Sequence, residues 1–102
     1  MSSGSYSIRL LPLAEDDLRD LLSYVAADRP AAAPALADRI EKKLRHLCTH
    51  PHLGKIPNDE KLSSMGYRFL VVEDYLVCYT IRAKTLLIHR IIHGARDVER
   101  LL

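Results

Sequence analysis

Hydrophobic and polar residues alternate near the start of the chain and then adopt a helical spacing. In residues 6–10, Ile8 and Leu10 fall on one face of an extended segment, which predicts a short strand with one solvated side. Pro12 ends this alternation, and acidic residues follow where the first turn of a helix favours them. That helix is predicted to continue for about four turns to Asp28, because its apolar residues recur at i, i+3, i+4 and i+7 (Leu18, Leu21, Leu22 and Val25).

A second amphipathic helix is predicted to begin near Ala32 and to end before His50-Pro51. Pro34 fits in its first turn, where a missing N–H is tolerated. Its apolar residues form one stripe, with most basic residues off that stripe (Leu36, Ile40, Leu44 and Leu47). Two such helices joined by a short proline-containing turn predict an antiparallel helical hairpin that needs a sheet to cover its apolar stripes.

Periodicity disappears between Pro51 and Met65, where glycine, proline, asparagine and aspartate accumulate. The sequence predicts a polar connection of about 15 residues, and loops of that length are often functional. Lys55 and Lys61 lie within it.

The last third of the chain has the short-range alternation of a small sheet. Residues 67–72 and 75–81 predict two strands around a Glu73-Asp74 turn. Residues 85–93 are apolar on both faces, which predicts a central strand. Alternation places three of its side chains on one face and two on the other (Leu86, Ile88 and Ile92, against Leu87 and Ile91).

Polar residues interrupt this central strand. A buried charge is costly unless it is paired, so Arg90 is predicted to form an ion pair with Asp74 or Glu73. At the end of the strand, Gly94 permits an unusual backbone angle between His93 and Arg96. For Arg96, a contact with phosphate or carboxylate and a salt bridge to a neighbouring acid are equally consistent with the pattern.

Composition limits the class of protein. A chain of 102 residues with 48% hydrophobic content predicts a single domain over residues 1–102, with residues 1–5 disordered. Cys48 and Cys78 lie in apolar segments and are too few for a disulfide framework, which indicates a reducing cytoplasm. The sequence contains neither a signal peptide pattern nor an apolar run long enough to span a membrane, so no membrane association is expected.

Charge is unevenly distributed along the chain. Residues 1–35 hold three basic and five acidic residues, whereas residues 36–102 hold twelve basic and eight acidic ones, for a net charge of +2. This asymmetry permits an anionic partner such as RNA, or an acidic peptide, although charge alone favours a mixed solvated surface.

Three histidines near the end of the second helix suggest metal ligation only weakly. His46 and His50 have i, i+4 spacing, and His52 follows, but apart from Cys48, which points elsewhere on the helix, no further ligand has suitable spacing. We therefore predict no metal. No phosphate-binding loop or dinucleotide fingerprint is present, and no cofactor is expected.

Metal-free RNA cleavage is the chemistry for which the chain holds candidates. That reaction needs a general acid, a general base and cations that stabilise the phosphorane. The catalytic candidates are His93, Arg96 and Arg68, and the candidates for nucleic-acid or target binding are Lys55, Lys61, Arg68 and Arg96. Their spacing does not establish that they converge.

The order of predicted elements, with three short segments, resembles the RelE/ParE superfamily of bacterial type II toxin–antitoxin toxins. The segments are Gly66-Tyr67-Arg68-Phe69, Tyr75-Leu76-Val77-Cys78-Tyr79 and Ile91-Ile92-His93-Gly94-Ala95-Arg96-Asp97. The resemblance covers the chain from Tyr6 to Leu102. It implies an α+β fold with an N-terminal strand, a two-helix antiparallel hairpin and then three antiparallel strands forming one small sheet. It also implies a cognate antitoxin that wraps the toxin in a hetero-oligomer.

The resemblance leaves the toxin's target open. In ribosome-dependent RelE-like mRNA endoribonucleases, cationic or aromatic residues would stand where this chain has Leu70, Leu76 and Leu102, and only Arg68 and Arg96 keep the charge. The pattern is therefore more similar to the ParE branch, which acts on DNA gyrase. The alternatives are a nuclease on the ribosome and mRNA that uses His93, and a non-toxic member that acts only in its antitoxin complex.

Overall fold

The computed structural model describes residues 5–94, and its elements follow the predicted order. They are β1 (Ser7–Leu10), α1 (Pro12–Asp28), α2 (Ala32–Thr49), α3 (Glu60–Ser64), β2 (Arg68–Val72), β3 (Tyr75–Arg82) and β4 (Thr85–His93). The predicted α+β class is confirmed. The predictions for residues 1–4 and for Arg96 lie outside the described residues.

The four strands form one mixed sheet in the order β1-β4-β3-β2. β2, β3 and β4 are antiparallel neighbours, while β1 pairs in parallel with β4, from Ser7 opposite Thr85 to Leu10 opposite Ile88. β4 is therefore an interior strand, as its two apolar faces predicted. The connection from β1 to β4 is long, as a parallel pair requires, and it contains the helical hairpin, α3 and the β2–β3 hairpin.

The predicted connection between α2 and β2 contains more structure than its composition indicated. α3 occupies residues 60–64, and the Asp59 carboxylate accepts a hydrogen bond from the Leu62 N–H at 2.9 Å. An aspartate at this position is a favourable N-cap. Before α3, Lys55 and Phe69 exchange two backbone hydrogen bonds of 2.8 Å at the outer edge of β2.

The hydrophobic core lies between the helical hairpin and one face of the sheet, which we call the covered face. The predicted α2 stripe is entirely buried there. The covered face of the β2–β3 hairpin contributes alternate residues of both strands (Leu70, Val72, Val77 and Tyr79). The intervening side chains, including Phe69, Val71 and Leu76, belong to the opposite, open face.

A β-bulge changes the alternation of β4. Cys78 pairs with Arg90, but the next residue, Tyr79, pairs with Ile88, so His89 is an extra residue in β4. As a result, Ile91 joins Leu86 and Ile88 in the core beneath the helices. The prediction that Ile92 shares their face and Ile91 opposes them was wrong, because strict alternation does not anticipate a bulge.

Candidate functional site

Two shallow cavities adjoin each other at the β2–β3 hairpin and share Val71 and Leu76. One, of about 440 Å³, lies at the hairpin turn and includes Tyr75, His93 and Gly94. The other, of about 390 Å³, lies between the hairpin and the segment from Lys55 to Leu62. Together they form a groove with an apolar floor, which we call the β2 groove.

Tyr79 fixes the loop that borders this groove. Its phenol accepts a hydrogen bond from the Gly54 N–H at 2.9 Å and donates one to the Pro51 carbonyl at 2.7 Å. Burial raises the pKa of this phenol, opposed by the Gly54 hydrogen bond and the positive charge of Arg68. A Cβ on Gly54 would lie only 2.6 Å from the Tyr79 ring, so the loop requires glycine there.

Arg68, a catalytic candidate, binds the same loop. Its guanidinium donates to the Gly54 carbonyl at 2.8 Å and to the His52 carbonyl at 3.2 Å. These contacts use part of its donor capacity to hold the backbone. Arg68 and Tyr79 are also directly paired across β2 and β3. We call their joint contacts with the loop around Gly54 the Gly54 clamp.

The two candidate lysines occupy separate elements. Lys55 is exposed at the edge of β2, where its backbone pairs with Phe69 and its side chain lines the groove. Lys61 is exposed on α3, where its carbonyl accepts hydrogen bonds from Ser64 and Met65. Among residues 5–94, neither ammonium group has an ion-pair partner.

His93 is exposed at the end of β4, and its ring lies 5.2 Å from that of Tyr75. Burial raises the pKa of Tyr75, and the charge of Asp74 and the neighbouring Tyr24 act in the same direction. Tyr75 of β3 pairs with His93 of β4, and Tyr79 of β3 pairs with Arg68 of β2. The catalytic candidates His93 and Arg68 therefore lie on the two strands that flank β3, about 13 Å apart along its length. The described residues do not unite them in one cluster.

The partner of Arg90 differs from the prediction. Its guanidinium makes two hydrogen bonds to the Asp17 carboxylate of α1, at 2.7 and 3.0 Å, and this contact is the main cause that raises the pKa of Arg90. The same carboxylate accepts the Ile91 N–H at 2.9 Å. The prediction of Asp74 or Glu73 was wrong because charge spacing along the chain does not reveal that α1 crosses β4; Glu73 instead pairs with Arg39 at 3.1 Å.

Sequence analysis did not identify the polar cluster around His89. The His89 ring forms a hydrogen bond of 2.9 Å with the Thr80 hydroxyl and packs edge-on against Tyr67 at 5.0 Å. Burial lowers the pKa of His89, with a further contribution from the charge of Arg82. The bulge at His89 brings these groups together, and no spacing rule signals it.

The histidines near the end of α2 and the two cysteines show no metal-binding arrangement in the part of the chain that the structure describes. The His46 and His50 rings stack at 4.4 Å, and residues 5–94 contain no group of three potential metal ligands. Cys48 and Cys78 are free thiols. Burial raises the pKa of Cys78 to about 12, which keeps it protonated and unreactive near neutral pH. Within the described part, no helix has the length and apolar character needed to cross a membrane.

The model of the ParE toxin family of type II toxin–antitoxin systems matches residues 8–98, which is most of the chain. The chain belongs to the ParE toxin family. Its sheet, helical hairpin and β2 groove are therefore features of a type II toxin–antitoxin toxin. No curated protein sequence matches it.

Solved structures agree with this membership. The chromosomal ParDE system of P. aeruginosa includes a chain with a TM-score of 0.74 and 18% identity, covering 90% of this ParE-family chain and 99% of the other. At that identity the likeness shows the fold alone. The RelBE2 toxin–antitoxin complex of Mycobacterium tuberculosis gives a TM-score of 0.63 and 25% identity, with coverage of 87% and 98%. Both likenesses confirm the RelE/ParE fold.

Proposed function

We propose that this ParE-family toxin arrests growth in the cytoplasm by binding DNA gyrase and that a cognate antitoxin neutralises it. The family match over residues 8–98 carries the proposal, since the ParE branch acts on gyrase. The proposal extends to a role in plasmid stabilisation as part of an addiction module.

The arrangement of the nuclease candidates supports gyrase over RNA. Leu70, which stands where RelE-like nucleases carry a cation, is buried in the core, and Leu76 forms part of the groove floor. Arg68 binds loop carbonyls, and His93 lies toward the other end of β3. Phosphoryl transfer requires preorganised cations around one phosphate, and these residues do not supply that arrangement.

Ribosome-dependent mRNA cleavage is the second candidate, and His93 favours it. This histidine is exposed beside a cavity at the end of β4, where a substrate can reach an acid–base group. Lys55 and Lys61 are exposed cations that RNA would attract, and Arg96 remains a candidate outside the described residues.

The test measures supercoiling by purified DNA gyrase with increasing toxin, and in parallel maps the ends of cellular mRNA after toxin expression. We expect inhibited supercoiling with intact mRNA, unchanged by His93→Ala. His46→Ala, which alters an exposed histidine on α2, is the matched control. Codon-linked mRNA cuts that disappear only with His93→Ala would overturn the gyrase proposal in favour of the nuclease.

Charge reversal tests the target-binding lysines. We expect Lys55→Glu and Lys61→Glu to weaken gyrase inhibition several-fold, because charges at an interface rim steer association. Lys42→Glu reverses an exposed charge on α2 and serves as the control. Absence of both growth arrest and gyrase inhibition would instead favour a non-toxic protein that acts only in its antitoxin complex.

A further inference from the structure

β1 forms the edge of the sheet opposite to β2, and it pairs with β4 along one side only. The N–H groups of Ser7 and Leu11 bond to carbonyls of the β3–β4 turn and of β4, at 2.8 and 3.0 Å. Alternate residues of a strand direct their N–H and C=O groups to opposite edges, so Ser7, Arg9 and Leu11 face β4. The intervening residues Ile8 and Leu10 therefore direct these groups away from the sheet.

The outward groups of Ile8 and Leu10 have no hydrogen-bond partner in the part of the chain that the structure describes. Tyr6 also faces outward, and its N–H bonds to the Cys48 carbonyl at the end of α2, at 2.8 Å. Beyond Tyr6, no bond from residues 5–94 closes this edge. An open strand edge is a template for pairing with another strand.

The apolar side chains of this edge are only half-buried. Tyr6, Ile8 and Leu10 lie on the covered face and pack against the core, but each remains partly exposed at the margin of the sheet. Ser7 and Arg9 lie on the open face and are exposed. A strand added beside β1 would therefore bury apolar surface on the covered face and meet polar side chains on the open face.

A second copy of β1 matches this edge in antiparallel pairing. With Ile8 opposite Ile8 of the second copy, the two residues exchange N–H···O=C bonds across a two-fold axis, and each Leu10 N–H reaches the Tyr6 carbonyl of the other copy. These bonds leave the contact of the Tyr6 N–H with Cys48 intact. Because the axis is perpendicular to the sheet, the helices of both copies lie on the same face.

Arg9 distinguishes this register from the neighbouring one. Pairing Ile8 with Leu10 of the second copy would place the two Arg9 side chains directly opposite each other, and like charges in that position are destabilising. With Ile8 opposite Ile8, each Arg9 faces Ser7 of the other copy instead. Charge repulsion between the arginines therefore favours the register centred on Ile8.

The two ends of the β1 edge carry complementary charges. Beyond Leu10, α1 begins, and Glu15 is exposed in its first turn. At the other end, the Lys84 ammonium lies 4.7 Å from the centre of the Tyr6 ring. In the antiparallel arrangement, Leu10 of each copy meets Tyr6 of the other, so the acidic end of one edge approaches the basic end of the second. This complementarity favours a second copy over an unrelated strand.

Pairing β1 with β2 of another copy is less favourable. Such a contact joins unlike edges and repeats without closing, which would produce filaments. The β2 edge is also bridged by Lys55 at Phe69. Two β1 edges, in contrast, form a closed pair.

We propose that two copies of this ParE-family toxin pair through β1, with Ile8 opposite Ile8, and form one continuous sheet across a dimer. The sheet runs from β2 to β1 in one copy and from β1 to β2 in the other, which leaves the two β2 edges at its far ends. The inference goes beyond the proposed function and does not depend on gyrase as the target.

Sedimentation equilibrium of the purified full chain measures dimerisation directly. We expect a dimer that dissociates on dilution, because a strand pair of this length forms a small interface. A chain that stays monomeric up to about 1 mM would overturn the inference.

Substitutions at Ile8 separate the backbone contribution from the apolar one. Ile8→Pro removes an outward N–H without removing a bond to β4, and proline is tolerated at a sheet edge. We expect it to weaken dimerisation by about tenfold or more, since a bond is lost on each side of the axis. Ile8→Ala keeps the N–H and is expected to weaken dimerisation less. Wild-type dimerisation by a folded Ile8→Pro would overturn the inference.

Exchange of charges tests the two ends of the edge. Glu15→Lys and Lys84→Glu are each expected to weaken dimerisation by about threefold, and the double variant is expected to recover it. Asp20→Lys, at an exposed position further along α1, is the control for an added positive charge. Losses that add up in the double variant would contradict the approach of these ends.

Cysteine cross-linking tests the register. In the proposed pairing, Ser7 of one copy and Arg9 of the other have Cα atoms about 4.5 Å apart, which is within reach of a disulfide. Oxidation of a mixture of Ser7→Cys and Arg9→Cys chains is expected to give cross-linked dimers, whereas either variant alone gives few. Ser23→Cys, exposed on α1, is the control for random collisions and for the native cysteines. Efficient cross-linking of Arg9→Cys alone would overturn the register.

Thermal melting of each variant establishes that it folds, and the charge exchange and the cross-linked mixture keep the inference testable if Ile8→Pro does not fold. A mixture that cross-links no more than the Ser23→Cys control would overturn the inference. Failure to inhibit gyrase, by a chain that dimerises through β1, would instead overturn only the proposed target.

Discussion

The two faces of the β2–β3 hairpin use similar residues for different purposes. On the covered face, Val72 packs under the helices and is almost fully buried, whereas Val71 on the open face is mostly exposed. The two valines are adjacent in sequence, and only the pleat of the strand separates their environments. Burial of Val72 stabilises the fold, whereas the exposed Val71 side chain can contact a partner. Along β2, alternate side chains therefore either stabilise the core or remain exposed for binding.

Polar contacts anchor the elements around the covered face. Tyr79 and Arg68 hold the loop around Gly54, while Asp17 holds α1 to β4. Substitutions at these anchors are expected to affect folding strongly, and substitutions on the open face to affect binding.

Gly54→Ala is expected to have the largest effect on stability, lowering the free energy of unfolding by about 3 kcal/mol. The new Cβ would lie 2.6 Å from the Tyr79 ring and 2.7 Å from its hydroxyl, which forces the loop away and breaks its buried hydrogen bonds. Chemical denaturation measures the loss. In the double variant with Tyr79→Phe, the two costs should be less than additive, since both disrupt one contact. If the losses in the free energy of unfolding are fully additive, Gly54 and Tyr79 do not act through one shared contact.

Asp17→Ala is expected to cost about 2–3 kcal/mol in the free energy of unfolding. It removes the two-bond contact with Arg90, whose side chain is only 22% exposed, and the acceptor for the Ile91 N–H. Asp16→Ala is the matched control: it breaks the exposed pair with Arg19, which is expected to contribute less than about 0.5 kcal/mol. Urea denaturation measures the free energy of unfolding of both variants. Equal losses would show that the Asp17 contacts stabilise the fold no more than the exposed Asp16–Arg19 pair does.

The adjacent valines test the two faces directly. Val72→Ala is expected to lower the free energy of unfolding by about 2 kcal/mol because it removes buried methyl groups and leaves a cavity. Val71→Ala is expected to change it by less than about 0.5 kcal/mol, since that side chain is already in water. Denaturation of both variants under one set of conditions provides the comparison. A large loss with Val71→Ala would show that the open face contributes to the core.

His89 is expected to make stability depend modestly on pH. Burial lowers its pKa from the ordinary 6.5, so below that pH the unfolded chain binds the proton more readily than the folded chain does. The free energy of unfolding should therefore fall as pH decreases from 6.5 toward the lower folded-state pKa, and His89 contributes no such slope above 6.5.

Denaturation at pH 7.5 and 5.5 measures this slope in the wild type and in His89→Gln. The difference between the two pH values should be smaller in His89→Gln, while His52→Gln, at an exposed position, should behave as the wild type does. An identical difference in the wild type and His89→Gln would mean that this histidine titrates alike in both states.

Much of the fold was predictable because it depends on local periodicity. The four-residue stripe of α2 predicted its buried face, and the bounds of β4 followed from a mostly apolar segment between a turn and a glycine. Pairing β1 in parallel with β4 was not predictable in this way, because a crossover is a relation between distant segments. α3 was missed because five residues give too short a periodic signal.

The candidate site was less predictable than the fold. Sequence analysis selected Arg68 as a candidate for catalysis and target binding, but its contacts with two loop carbonyls, at 2.8 and 3.2 Å, arise only when residues 52–54 fold back onto β2. Likewise, no sequence pattern distinguishes the exposed Val71 from the buried Val72, because the two valines look alike until each is assigned to a face of the sheet.

By itself, the sequence determined the helical hairpin, the order of the strands along the chain and membership of the RelE/ParE superfamily, since each is encoded in residues close together in the chain. Only the tertiary structure decided that Asp17 binds Arg90, that a bulge at His89 turns Ile91 toward the core, and that among residues 5–94 the outer edge of β2 is bridged only at Phe69. The physical reason is that these features depend on strand register and helix placement, which are set by packing among segments distant in the chain.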